Sequence, residues 1–303
     1  MALLMANSSW LTEFPDMSRR ELLSFRQTLD GAYRDFSREY GDTIESLFDP
    51  LLSFLIWFED LLISTPWWIV LGAVLGLVYY ASRSLKLSAG VLVSLLAIGY
   101  FGMWEDTMRT LSIITVCTLM SIAIGIPIGI LMAQSDRARS IITPLLDIMQ
   151  TMPAFVYLIP VVMLLGIGKI PGVIAVIIYA IPPVIRLTNL GIRLVDTETL
   201  EAATAYGATR SQRLFGVQLP LAMPTIMAGI NQTIMMALAM VVVASMIGVK
   251  GLGQPVLKSI TNQYFTLGLL NGLAIVALAI IFDRVSQTYA KRAQKHLEGS
   301  NHG

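Results

Sequence analysis

Charge is scarce in this 303-residue chain: Asp, Glu, Lys and Arg make up 14% of it, against 55% apolar residues. With a mean hydropathy of +0.69, that balance excludes an ordinary soluble domain and points to a bilayer. The formal net charge of +1 gives no reason to expect nucleic acid or an acidic ligand, so any meaning in the charges lies in where they sit. Cysteine is nearly absent. Cys117 stands alone inside an apolar run, which excludes an intrachain disulfide or a thiolate metal cluster and leaves a small buried hydrophobe. The two histidines, His296 and His302, both fall in the polar tail, so a buried His triad or zinc site has no material. The opening MALLMANSSWLTEF lacks a basic segment ahead of an apolar core and is not expected to be a cleaved signal peptide.

Long apolar runs are what the chain has instead. Crossing roughly 30 Å of hydrocarbon takes about 20 helical residues. Seven runs approach or exceed that length, at about 64–82, 88–104, 108–133, 141–166, 170–190, 224–248 and 266–283, the second of them short. Lys and Arg near span ends are held on the cytoplasmic side. One set of connections carries Arg83, Lys86, Arg137, Arg139, Arg186, Arg193, Arg210, Arg213, Arg284, Lys291, Arg292 and Lys295; the other carries only Arg109, Lys169, Lys250 and Lys258. The first set, with the C-terminus, is therefore expected in the cytoplasm, and an odd number of spans puts the N-terminus outside. The expectation is an all-α integral membrane protein, a polytopic helical bundle of about seven spans.

Residues 1–63 form a separate tail. Ser18 to Glu21 has the form of a capping box, and Leu22, Phe25, Leu29, Tyr33, Phe36 and Tyr40 follow helical spacing, which predicts an amphipathic helix. A second apolar patch, Leu51 to Phe58, is too short to span and could lie at the membrane interface, although the tail is acidic; packing on its own neighbours is the equal alternative. Two N-terminal spans at 64–104, a core at 105–285 and a cytoplasmic tail at 286–303 complete the division. Gly72 to Gly76, Gly125 to Gly129 and Gly268 to Gly272 place glycines four apart, which predicts close internal helix packing.

The most specific stretch is polar: VDTETLEAATAYGATRSQRLFGVQLPLAMP, within a loop at 193–222. Asp196 or Thr197 can cap a first short helix, Gly207 can turn the chain, and a second can run from about Thr209 to Phe215, closing before Gly216. A few residues would suffice merely to join two spans. Ala202, Ala203 and Ala205 keep the first helix slim enough for a partner's groove, with Glu201, Arg210 and Arg213 at its rim. Glu201, Ala202, Ala203, Gly207, Val217, Leu219 and Pro220 stand at the spacing of, and closely resemble, the EAA motif of ATP-binding cassette importer permeases, Val217 replacing the more usual isoleucine.

That resemblance implies a type I importer transmembrane-domain fold and a coupling helix that docks on a separate cytoplasmic ATPase. Leu145 to Ile192 further resembles glycine betaine and proline betaine permeases, a likeness covering about 105–285. It implies amine osmolytes as cargo (glycine betaine, proline betaine, choline, carnitine or trimethylamine N-oxide), an extracytoplasmic binding protein, a second permease copy and the bacterial inner membrane. ATP and magnesium would belong to the partner, and no cofactor is expected in this chain. The nearest phosphate-loop candidate, Gly166 to Lys169, has Met163 and Ile170 where a glycine and a Ser or Thr are required. An enzyme is disfavoured because no nucleophile and base pair is visible.

For the path, Pro153 and Pro160 are expected to interrupt the fourth span, and Pro182 and Pro183 the fifth. Asp147, Gln150, Asn231, Gln232 and Asn271 are polar groups for interhelical hydrogen bonds or the path itself. Phe155, Tyr157 and Tyr179 are conceivable cation–π contacts for a methylated ammonium, or apolar filling. Gln150, Pro153, Phe155, Tyr157, Tyr179 and Asn231 are thus the candidate path or gate. An amino-acid or methionine importer permease is the alternative within the architecture. An ion-driven secondary transporter is less favoured, since its best ionisable candidate, Asp147, lies near a span end.

Overall fold

The structure, a computed structural model, describes residues 16–299, with side chains described through residue 289. The signal-peptide reading of residues 1–14 and the placement of His302 lie outside the described residues. Every regular element among them is a helix.

Ser18 opens α1 (Arg19–Ser64) with a reciprocal capping box to Glu21, as the sequence predicts. The apolar patch at Leu51 to Phe58 is not a second element, however: α1 runs 46 residues without a break and passes through Pro50. The run of helix formers on both sides outweighs the one backbone hydrogen bond that proline removes. Its first half is mostly exposed, while Leu55 is fully buried. Tyr33 and Ser37 donate to the carbonyls of Pro160 and Leu164, fixing one flank of α1 to the body.

After a 112° bend, α2 (Trp67–Ser82) and then α3 (Leu85–Tyr100) form a short helical pair against the body. The body is built from α4 (Trp104–Gln134), α5 (Asp136–Thr151), α6 (Leu158–Leu165), α7 (Lys169–Ala180) and α8 (Pro182–Arg193). The insert follows, and then α11 (Leu219–Ala244), α12 (Gly253–Asn262) and α13 (Phe265–Gly299). Among the described residues, four helices are long and apolar enough to cross a membrane, six if each of two bent pairs is one span, and α3 is a shorter apolar helix. Each of the seven apolar runs therefore corresponds to a helix or a bent pair. α12 was not foreseen; it lies in the connection between the last two runs and packs on α13.

The prolines act differently from one another. Pro153 stands at a 114° break between α5 and the short 3₁₀ turn Ala154–Tyr157 that leads into α6. Pro160, expected to interrupt the same span, does not: it lies in the first turn of α6, a position that tolerates proline. Pro182 and Pro183 open α8, yet α7 and α8 together remain one 25-residue apolar span.

α8 is wedged between α4 and α11, and glycines on both sides set the distance. A Cβ on Gly129 would stand 2.6 Å from the Thr188 Cβ and 2.8 Å from the Ile185 carbonyl oxygen. On the other seam, a Cβ on Gly229 would stand 2.9 Å from the Leu187 Cβ. Close packing thus holds at Gly125, Gly129 and Gly268, where a Cβ would stand 2.3 Å from the Ser259 Oγ, whereas a Cβ on Gly72, Gly76 or Gly272 would meet nothing within 4 Å.

At the end opposite the insert, Glu59 of α1 is 5% exposed. Lys169 donates to it at 2.8 Å, and the Arg109 Nε stands 3.6 Å away. One carboxylate thereby ties α1 to the starts of α4 and α7. It also offsets the cost of a lysine at the positive end of the α7 dipole. Glu59→Gln should cost on the order of 3 kcal/mol, the low end for a buried pair because both cations keep some solvent contact. Thermal unfolding in detergent would show it, together with faster proteolysis of α1.

Candidate functional site

The insert contains α9 (Thr197–Ala205), a turn, and α10 (Arg210–Arg213). Asp196 caps α9, its carboxylate accepting from the Glu198 N–H at 3.4 Å. At the other end the chain reverses through Gly207, whose φ of +81° L-residues rarely adopt. The Gly207 N–H donates to Thr204 and the Ala208 N–H to Ala203, at 2.9 and 3.0 Å, satisfying carbonyls that the helix end leaves open. Thr209 and Gln212 then form a reciprocal capping box for α10.

The second helix does not close before Gly216. A π turn at Leu214–Gln218 carries the chain directly into α11, with the Leu219 N–H donating to the Leu214 carbonyl. The physical reason is Pro220: it cannot donate to the carbonyl four residues back, and the wider turn lets the helix continue. The motif residues consequently divide in two. Glu201, Ala202 and Gly207 are exposed and Ala203 is half-buried, on an arm where no residue of α9 is buried and Tyr206 is 94% exposed. Val217, Leu219 and Pro220 are half-buried at the root of α11.

Two arginines expected at the rim also bond to neighbouring segments, with Arg210 remaining exposed and Arg213 half-buried. Arg213 Nη1 donates to the Thr204 hydroxyl at 3.0 Å, tying the two arms together, and Arg210 Nη2 reaches the Gln134 carbonyl at 3.3 Å. An exposed small-residue helix on a braced frame can be gripped and moved as a unit.

The candidate path residues fall into two groups. Gln150, Pro153 and Phe155 are exposed around the 114° bend, while Tyr157 is buried and donates its hydroxyl across the bend to the Met149 carbonyl. Tyr179 meets Tyr157 edge-on, ring centroids 5.6 Å apart. Asn231 belongs to a different cluster, joining α11 to α13: it donates to Asp283 at 2.8 Å and accepts from Ser286 at 2.7 Å, while Gln287 donates to the same carboxylate. Asp283 was missed because it closes an apolar run and looked like a boundary charge; its spacing from Ser286 and Gln287 on one helix face was the available signal. Asp147 pairs with Arg186 on α8.

Residues 125–295 match the family described as binding-protein-dependent transport system inner membrane component. The chain belongs to this family. This inner-membrane component is 51% identical over 234 residues to the glycine betaine/proline betaine transport system permease protein ProW of Escherichia coli (strain K12), covering 77% of the chain and 66% of ProW. It is 44% identical over 257 residues to the glycine betaine/carnitine transport permease protein GbuB of Listeria monocytogenes serotype 1/2a (strain 10403S), covering 84% and 90%. The trimethylamine N-oxide transport system permease protein TmoV of Pelagibacter ubique (strain HTCC1062) is 36% identical, over 75% of the chain and 32% of TmoV. The component thus spans about two thirds of the length of ProW. Among solved structures, the inward-facing MetNI methionine ABC transporter matches with a TM-score of 0.56 at 20% identity, covering 61% of this chain and 93% of that one. This likeness shows the fold alone. The inner-membrane component is a multi-pass helical membrane protein.

Proposed function

We propose that this chain is the non-catalytic translocating subunit of an ATP-driven importer for betaine-type amine osmolytes, in the bacterial inner membrane. The observation that carries the reading is the insert. Its exposed half offers Glu201, Ala202, Ala203 and Gly207 to a separate ATPase, which supplies the ATP and magnesium. Its half-buried half, Val217, Leu219 and Pro220, is continuous with a body helix. The arginine surplus at the insert end argues for placing it and the C-terminus in the cytoplasm, with the N-terminus outside. A soluble binding protein would deliver cargo to the outer face, and a second identical copy would complete the path.

Relatives named for glycine betaine, proline betaine and carnitine support the cargo class. A path along Gln150, Pro153, Phe155, Tyr157 and Tyr179 fits a methylated ammonium, which aromatic faces attract weakly enough to release. Asn231 joins that path only if the α11–α13 seam opens. A cleft of about 740 Å³ lined by Phe58, Val74, Leu95, Met108 and Leu278 does not suit it. The lining is mostly apolar, with Thr65, Tyr80, Trp104 and Thr115 as its hydrogen-bonding side chains and no charged one to meet either end of a zwitterion, so burying it there would be costly.

The test is uptake by proteoliposomes holding the permease, its ATPase and its binding protein. Labelled glycine betaine should enter only with ATP, and excess choline, carnitine, proline betaine or trimethylamine N-oxide should compete in the order of the binding protein's affinities. Competition by methionine alone would favour an amino-acid importer. Uptake that survives ATP depletion with an ion gradient intact would favour a secondary transporter.

A further inference from the structure

An α-helix leaves its last four carbonyls without intrahelical donors. At the end of α4, the Leu131 carbonyl is met by the Ser135 N–H at 3.1 Å. Two others are met from outside: Arg193 Nη2 donates to Met132 at 2.8 Å and Arg210 Nη2 to Gln134 at 3.3 Å. Both guanidinium groups also face the negative end of the α4 dipole, which favours a cation there. Arg193 reaches further, to Asp136 at 2.7 Å on α5 and, through Nε, to Asn189 at 3.1 Å on its own helix. Its side chain is 28% exposed while that of Asp136 is 87% exposed, so the carbonyl side of the contact is the better shielded.

The places of these arginines in the chain matter. Arg193 is the last residue of α8, before the insert, and Arg210 is the first of α10, after the Gly207 reversal. The insert therefore stands with both feet on one helix end, and Arg213 braces the arms between them. Ser135 is at once the C-cap of α4 and the N-cap of α5, accepting from the Ala138 N–H at 3.3 Å. A push on the end of α4 thus crosses a single residue into α5, whose far end is the bend at Met152 and Pro153.

We infer that Arg193 and Arg210 are positioning residues that latch the insert to the end of α4, so that movement of the insert is delivered through α5 to the bend at Met152 and Pro153. This rests on the reading of the insert as the ATPase-docking element. A merely structural pair would alter stability; a transmitting pair sets how much transport each ATP yields.

The experiment uses the assembled complex in proteoliposomes, comparing wild type with Arg193→Gln, Arg210→Gln, the double variant and Arg193→Lys. Three quantities are measured: ATPase co-purification, hydrolysis rate, and labelled glycine betaine taken up per ATP. Each Gln variant should retain the ATPase and lower uptake per ATP by about five- to tenfold, within the usual range of coupling between sites. The double variant should be little worse than the poorer single one, because both act on one helix end. Arg193→Lys should recover part of the ratio, since it keeps a cation at the carbonyl. An unchanged ratio in both singles overturns the latch, as does a loss that only follows lowered thermal stability. Arg210 is exposed, so Arg210→Gln decides the matter alone if Arg193→Gln does not fold. Wild-type permease that neither binds nor stimulates the ATPase would overturn the underlying reading instead.

Discussion

Gly207→Pro is expected to abolish ATP-driven uptake while leaving the membrane body folded. Proline is held near φ −65° and has no N–H. The position requires φ +81° and a donor to the Thr204 carbonyl. Both demands fail together, so the reversal between α9 and α10 cannot form and the exposed arm loses its shape. Because no residue of α9 is buried, thermal unfolding should barely shift. Gly207→Asn is the control: asparagine tolerates the left-handed region at a cost of about 1–2 kcal/mol at most, and it keeps the N–H. It should retain most uptake and co-purify with the ATPase. Survival of both uptake and ATPase association in the proline variant would exclude a coupling role for the insert.

Gly129→Val should have the opposite signature, a body that no longer assembles. The new Cβ would lie 2.6 Å from the Thr188 Cβ and 2.8 Å from a backbone carbonyl, and the carbonyl cannot step aside without moving α8. Overpacking typically costs about 1–3 kcal/mol, and a clash with backbone lies at or beyond the top of that range. Gly76→Val places the same substitution in the same four-residue glycine spacing, where a Cβ meets nothing within 4 Å. Gel filtration and thermal unfolding in detergent should therefore separate the two variants sharply. Equal behaviour would mean that the α4–α8 seam does not set the packing distance.

Much of this was legible in the residues. The insert was readable because its demands are local: a cap at Asp196, a reversal at Gly207 and small residues between them. The body was readable because lipid forces long apolar runs into helices. Other features depend on tertiary partners that carry no sequence signature. The patch at Leu51 to Phe58 reads as a separate short segment after Asp49, yet one helix passes through it. Glu59 looked like a charge closing an apolar patch and proved to be buried between two cations from distant segments. The contacts that Arg193 and Arg210 make are not legible, because their acceptors are backbone carbonyls, present at every position and so invisible in any pattern. The three glycine pairs are identical as motifs, and only the neighbour across the seam separates Gly129 from Gly76.

The π turn at Leu214–Gln218 has a geometric consequence for the rest of the chain. It holds one residue more than an α turn would, and each residue of an α-helix advances the next by about 100°. The angular phase of all of α11 is thus set at this one point beside the insert. It decides whether Asn231 faces Asp283 and whether Gly229 faces α8. Were the extra residue absorbed into regular helix, every face beyond it would rotate by roughly a quarter turn or more. The turn joins the insert directly to α11, so under the proposed coupling the same few residues that would receive a push also decide which side of α11 meets its neighbours.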